Sequence, residues 1–200
     1  MTDGTTRGGQ LAPPDLLSLE QYARTRAEFR ARVLLHKRPR TIAVGPHATW
    51  CFEDRLTVQY QVQEMLRAER IFEAGGIQNE LDAYNPLIPD GTNLKATLLI
   101  EYPDAEERAL ALRRLKGIED RCYVAVGPER SYAIADEDLE RENAEKTSAV
   151  HFLRVELSAE ARRVFLAGGA VTRGMDHPAY SHATELTAAA RATLAADLSA

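Results

Sequence analysis

Phe52-Glu53-Asp54-Arg55-Leu56-Thr57-Val58-Gln59-Tyr60-Gln61-Val62-Gln63-Glu64-Met65-Leu66-Arg67-Ala68-Glu69-Arg70 carries a helical pattern once past its first residues. Counted at 100° per residue from Val58, the side chains of Val58, Val62, Met65, Leu66 and Phe72 share one stripe, the spacing of a face that packs on a core. Glu69 falls inside that stripe, with Gln61 and Glu73 beside it and Gln63, Arg67 and Arg70 opposite. A carboxylate aimed into an apolar layer must meet a cation, a metal or several donors, or keep its proton. The helix is expected from about Arg55 to Ala74, stopped by Gly75-Gly76. A shorter helix follows on Ile77, Leu81 and Tyr84 and ends at Asn85-Pro86. The loop after it holds Leu87 and Ile88, which must fold back onto something apolar. Leu94 to Tyr102 is the clearest strand: Leu94, Ala96, Leu98, Ile100 and Tyr102 face a core, while Lys95, Thr97, Leu99 and Glu101 form a half-polar face for a ligand or a covering helix.

On the N-terminal side, residues 1–15, rich in Gly and Pro, read as a disordered tail before a single domain over 16–200. Ser18 with Gln21 is a capping box for a helix to about Lys37, stopped by Pro39. Arg26 and Arg30 lie on the apolar side of that helix, either with their stems on apolar surface and their heads in water, or with one of them paired to Glu69. Thr41–Val44 and Ala48–Phe52 flank Gly45-Pro46-His47 as a hairpin. On the C-terminal side come a helix capped by Asp104, a hairpin from Tyr123–Val126 to Ser131–Ile134, and a short helix from Asp136 to Arg141. A strand over 147–157 and a helix from Ser158 to Gly168-Gly169 follow. Arg173 to Tyr180 reads as loop and 181–198 as a terminal helix that either packs loosely or mediates association into a homo-oligomer. The fold class expected is α+β, a single domain with a mainly antiparallel sheet and helices packed on it.

Two hundred residues, 44% hydrophobic, suffice for one well-cored domain. With 25 Lys and Arg against 30 Asp and Glu, a net charge of -5, the chain is no general nucleic-acid binder. No apolar run approaches the roughly 20 residues that span a bilayer, so membrane insertion is not expected and a cytoplasmic setting is. Cys51 and Cys122 belong to no C-x-x-C pair and read as small hydrophobes at strand positions, with a redox pair as the other possibility. No P-loop, dinucleotide fingerprint, H-E-x-x-H, G-x-S-x-G or EF-hand loop occurs. What remains is a set of polar groups at apolar positions. Arg26, Arg30, Glu69, Lys95 and Arg154 form either a buried ion-pair network or a pocket for an anion. Glu69, His151, His36 and Glu73, with Glu80 as a further addition, are the candidate ligands for iron or another divalent metal. His151 otherwise reads as a core histidine bonded to a carbonyl.

Phe52–Arg55, Tyr60–Arg70, Glu80-Leu81-Asp82-Ala83-Tyr84-Asn85-Pro86-Leu87-Ile88-Pro89, Leu94–Thr97 and Ser148–Arg154 together resemble a bacterial family, domain of unknown function 3501. The likeness runs from about Leu19 to Leu157. It implies no established activity. It does imply genes encoded beside rubrerythrin-like proteins and an iron–sulfur oxidoreductase similar to heterodisulfide reductase subunits, hence a role near peroxide defence or electron transfer. With two cysteines the chain cannot itself hold an iron–sulfur cluster. The expected function is therefore an accessory protein working through contacts with such a metalloprotein system. The rival is an enzyme or sensor whose metal or small-anion pocket is lined by Glu69, His151 and the arginines.

Overall fold

Helix starts follow the caps. Ser18 Oγ accepts from the Gln21 N–H, and Gln21 returns a bond to the Ser18 N–H, both at 3.2 Å, opening α1 (Leu19–Lys37). Asp54 caps α2 (Arg55–Glu69) through the Thr57 N–H at 2.9 Å, and Asp104 caps α4 (Ala105–Arg114) through two N–H groups. In the computed structural model, which describes residues 9–135 and 146–199, these join α3 (Ala74–Tyr84), α5 (Ala159–Leu166) and α6 (Ala188–Ala195).

Nine strands make two antiparallel sheets among the described residues. The five-stranded sheet runs β1 (Thr41–Ala43), β2 (Ala48–Phe52), β3 (Asn93–Ile100), β7 (Val150–Glu156), β6 (Ile134–Ala135). The four-stranded sheet runs β5 (Glu129–Tyr132), β4 (Cys122–Val126), β8 (Val171–His177), β9 (Tyr180–Glu185). The fold is α+β in a single domain. Instead of the one expected sheet there are two, because the stretch read as loop and terminal helix pairs as the β8–β9 hairpin, and only 188–195 is α-helical.

Alternation along the central strand sets the layers. Leu94, Ala96, Leu98 and Ile100 join Trp50, Phe52, Leu153 and Val155 on one face of the large sheet, in a continuous cluster with Val124, Val126, Val171 and Met175 of the small sheet. On the opposite face lie α2 and α3, whose Val58, Val62, Leu66 and Leu81 form a second cluster with Leu11 and Ile88. Residues 9–15, expected within the tail, belong to this layer. Leu11 is buried and exchanges two hydrogen bonds with the Asn85 side chain, at 2.8 and 2.9 Å. Residues 1–8 and the helix expected over 136–141 lie outside the described residues.

The α2–α3 junction differs from expectation. Arg70 adopts φ +57° and ends α2 at Glu69, and Gly75 and Gly76 stand inside α3 rather than stopping the helix before it. Gly76 is needed for close approach, since a Cβ there would stand 2.7 Å from the Ile71 side chain.

Candidate functional site

Between the half-polar face of the large sheet and the α1–α3 layer lies a cavity of about 290 Å³. Strand alternation supplies its floor: Cys51 and Glu53 from β2 and the residue after it, Thr97 and Leu99 from β3, Val150 and Phe152 from β7. Its helical side is Lys37 at the end of α1, Val58 and Gln61 of α2, Tyr84 of α3, and Leu87 in the turn after it. The Glu53 N–H donates to the Lys95 carbonyl at 2.9 Å, extending the β2–β3 ladder by one residue and turning the Glu53 side chain under α2. Its carboxylate accepts from Thr97 Oγ1 at 2.8 Å and from Thr57 Oγ1 at 2.5 Å, and the residue is 9% exposed. Burial pushes the half-buried Cys51 thiol above its ordinary pKa, Glu53 adds to that, and Thr41 and Lys37 oppose it.

The residues singled out in the sequence do not converge. Arg26 pairs with Glu64, not Glu69: its Nε and Nη2 donate at 2.8 and 2.7 Å, and the Tyr22 hydroxyl donates to the same carboxylate at 2.6 Å. Those bonds, Arg26 first, hold Glu64 at a pKa of about 2 although burial opposes them. Glu69 is exposed at the last position of α2, because the left-handed turn at Arg70 cuts off the wheel on which it lay inward. Phe72, assigned to the same stripe, is 74% exposed for the same reason. Arg30 and Glu73 are exposed as well, Glu73 preceding α3 without a side-chain cap. Glu80 is half-buried, its pKa raised by burial and then by Glu69. Lys95 and Arg154 are brought together as partners across β3 and β7, with Arg154 Nη1 donating to Glu156 at 2.6 Å.

The two histidines proposed as metal ligands stand in separate networks. His36 bonds Asp54, which also takes Arg40 at 3.0 Å, and Arg40 forks onto Asp197 at 2.8 and 2.9 Å. His151 is 3% exposed beside Thr147 Oγ1 and the Ser148 carbonyl, both 3.0 Å away, with Glu119 at 3.8 Å. Among the described residues no group of three or more His, Cys, Asp or Glu side chains is arranged to hold a metal ion. Cys51 lines the cavity while Cys122 lies in the core between the sheets, and both are free thiols.

The sequence reading places Thr97 on the half-polar face and takes Cys51 as a small hydrophobe or one of a redox pair, but gives Glu53 and Thr57 no role in a site. A signal was present: Thr49, Cys51 and Glu53 alternate with the apolar Ala48, Trp50 and Phe52, and Thr57 stands one helical turn beyond Glu53.

Fold and cavity together define an α+β protein of two antiparallel sheets with a small polar-floored pocket beneath its helices. The chain belongs to the DUF3501 family, described as a protein of unknown function, whose model matches residues 10–198. It is similar to a novel protein of unknown function from Burkholderia pseudomallei seen in a crystal structure, at 51% identity and a TM-score of 0.90, covering 94% of this chain and 99% of that one. No curated protein matches it. No helix among the described residues is long and apolar enough to cross a membrane.

Proposed function

We propose that the protein is a non-catalytic accessory protein that binds a small molecule in the cavity beneath α2 and α3. It would act by protein contacts in a redox or peroxide-defence metalloprotein system of the cytoplasm. The cavity carries the binding half: a few polar groups, Glu53 foremost, stand on an otherwise apolar surface, the usual composition of a small-ligand site. Among the described residues its lining pairs no nucleophile with a histidine, and burial raises the pKa of its thiol, which favours recognition over turnover. The redox half rests on the gene neighbourhood that the family resemblance implies, with a rubrerythrin-like protein or an iron–sulfur oxidoreductase as partner. A metal or anion pocket lined by Glu69, His151 and the arginines has no observation in its favour, since those groups lie apart.

The outer face of α1 supports a contact surface. Of its 19 residues only Tyr22 and Val33 are buried, and Leu34 and Leu35 remain 45% and 59% exposed between Arg30 and Arg38. Mixing the purified chain with a rubrerythrin-like protein, the partner class that the family resemblance implies, tests the reading by size-exclusion chromatography. The expected result is a complex that Leu34→Glu with Leu35→Glu abolishes while unfolding free energy stays within about 0.5 kcal/mol. Absence of any complex, or one indifferent to the double substitution, counts against it.

A further inference from the structure

We infer that the cavity takes a small organic cation, its ammonium or amidinium head set on the Glu53 carboxylate and its apolar body against Leu99, Val150 and Phe152. The inference rests on the binding reading above and names the ligand class. Three carboxylate residues are buried among the described ones: Asp197 holds Arg40, and Glu119 faces His151 at 3.8 Å. Glu119 also accepts from the Thr147 hydroxyl at 3.1 Å, whereas Glu53 accepts from the hydroxyls of Thr57 and Thr97 with no arginine or histidine side chain beside them in its bonds. A carboxylate offers about four lone-pair sites, and two hydroxyl bonds leave acceptor capacity on a group that lines a cavity. Lys37 lines the same cavity but makes no ion pair with Glu53 within 4 Å. It stands in the last turn of α1, where a positive charge complements the carbonyl end of the helix. Charge-assisted bonds from an ammonium head would use the remaining capacity of Glu53, strengthened by low local polarity. A cavity of about 290 Å³ equals the liquid volume of about ten waters at roughly 30 Å³ each. That limits the ligand to about ten non-hydrogen atoms.

Cys51 provides the readout. Its half-buried thiol lines the cavity, so its alkylation rate reports occupancy, while the fully buried Cys122 serves as a silent internal control. The full-length chain is titrated with isoamylamine and phenethylamine, with the matched alcohols and with the matched carboxylates, reading Cys51 alkylation and thermal midpoint. The amines are expected to slow alkylation and raise the midpoint, with alcohols and carboxylates at least about tenfold weaker. Glu53→Gln should weaken the amines by about tenfold or more and leave the alcohols unchanged. Alcohols or carboxylates that bind as tightly as the amines overturn the cation assignment and leave the cavity reading standing. Should no probe of either charge act on Cys51 or the midpoint, both fall. If Glu53→Gln fails to fold, the ranking of the three probe classes on the natural chain decides the question by itself.

Discussion

Glu64 clamps α1 to α2 through Arg26 and the Tyr22 hydroxyl, and its own titration exposes the clamp. Its pKa is about 2 in the folded chain against an ordinary 4.5, so the stability it adds is complete above about pH 5 and is lost as pH falls from there through about 2. Tyr22 shifts the opposite way: burial, then the neighbouring Glu64, raises its hydroxyl pKa. Glu64→Gln is expected to flatten the acid limb of the stability curve and to leave the shape of the profile above pH 6 unchanged; urea unfolding at several pH values measures this. An acid limb as steep as that of the natural chain would remove Glu64 from the account. The same physical demand was read correctly from the sequence and placed on the wrong residue. A carboxylate near apolar surface does require donors, but the one that meets Arg26 is Glu64, and the most deeply buried one in this layer is Glu53. The helical wheel shows which residues share a face. It does not show where the helix ends, and Glu69 lies at that end.

At the scale of elements, starts were more legible than stops. Ser18, Asp104 and Ser158 each cap a helix through their own side chains, a local interaction fixed by residue type and spacing. The end of α2 carries no such mark, since it depends on Arg70 adopting a left-handed conformation in which its N–H bonds the Leu66 carbonyl. A side chain with a Cβ is strained there, and the residue is exposed. Arg70→Gly is therefore expected to stabilise the chain by roughly 0.5–1 kcal/mol. Denaturant unfolding that finds the variant weaker would mean the arginine makes contacts that outweigh the strain. The β8–β9 hairpin was hidden for a different reason. Val171, Arg173, Met175 and His177 alternate inward, but an arginine at the second of these positions and glycine at 174 break the apolar pattern by which a strand is recognised. Arg173 is fully buried with its guanidinium donating to the Thr184 carbonyl at 3.0 Å, and burial lowers its pKa to about 10. Gly174 is required because a Cβ there would stand 2.5 Å from the Tyr123 hydroxyl.

Across the whole molecule, the network of His36, Arg40, Asp54 and Asp197 ties the end of α1, the start of α2 and the C-terminal turn together. Arg40 is 2% exposed and Asp197 8%, and the two are 157 residues apart in the chain. Burial raises the Asp197 pKa while the bonds from Arg40 oppose it, so the pair is stable only with both members present. Asp197→Ala leaves the guanidinium buried with Asp54 as its sole remaining carboxylate, and a loss of about 3 kcal/mol is expected in equilibrium unfolding. A loss below about 1 kcal/mol would show that Asp54 alone can hold the arginine.

From sequence, periodicity determined the α+β class, the central strand with its apolar and half-polar faces, and most helix starts, because each depends on neighbours within a few positions. That the half-polar face would be covered was legible too, and α2, α3 and the cavity lie there. Which carboxylate is buried, which arginine meets it, that there are two sheets rather than one, and where a pocket forms were decided by tertiary structure. Those outcomes depend on how far apart packed layers stand and which distant side chains fill the space between them. Neither quantity has a period that can be counted along a chain.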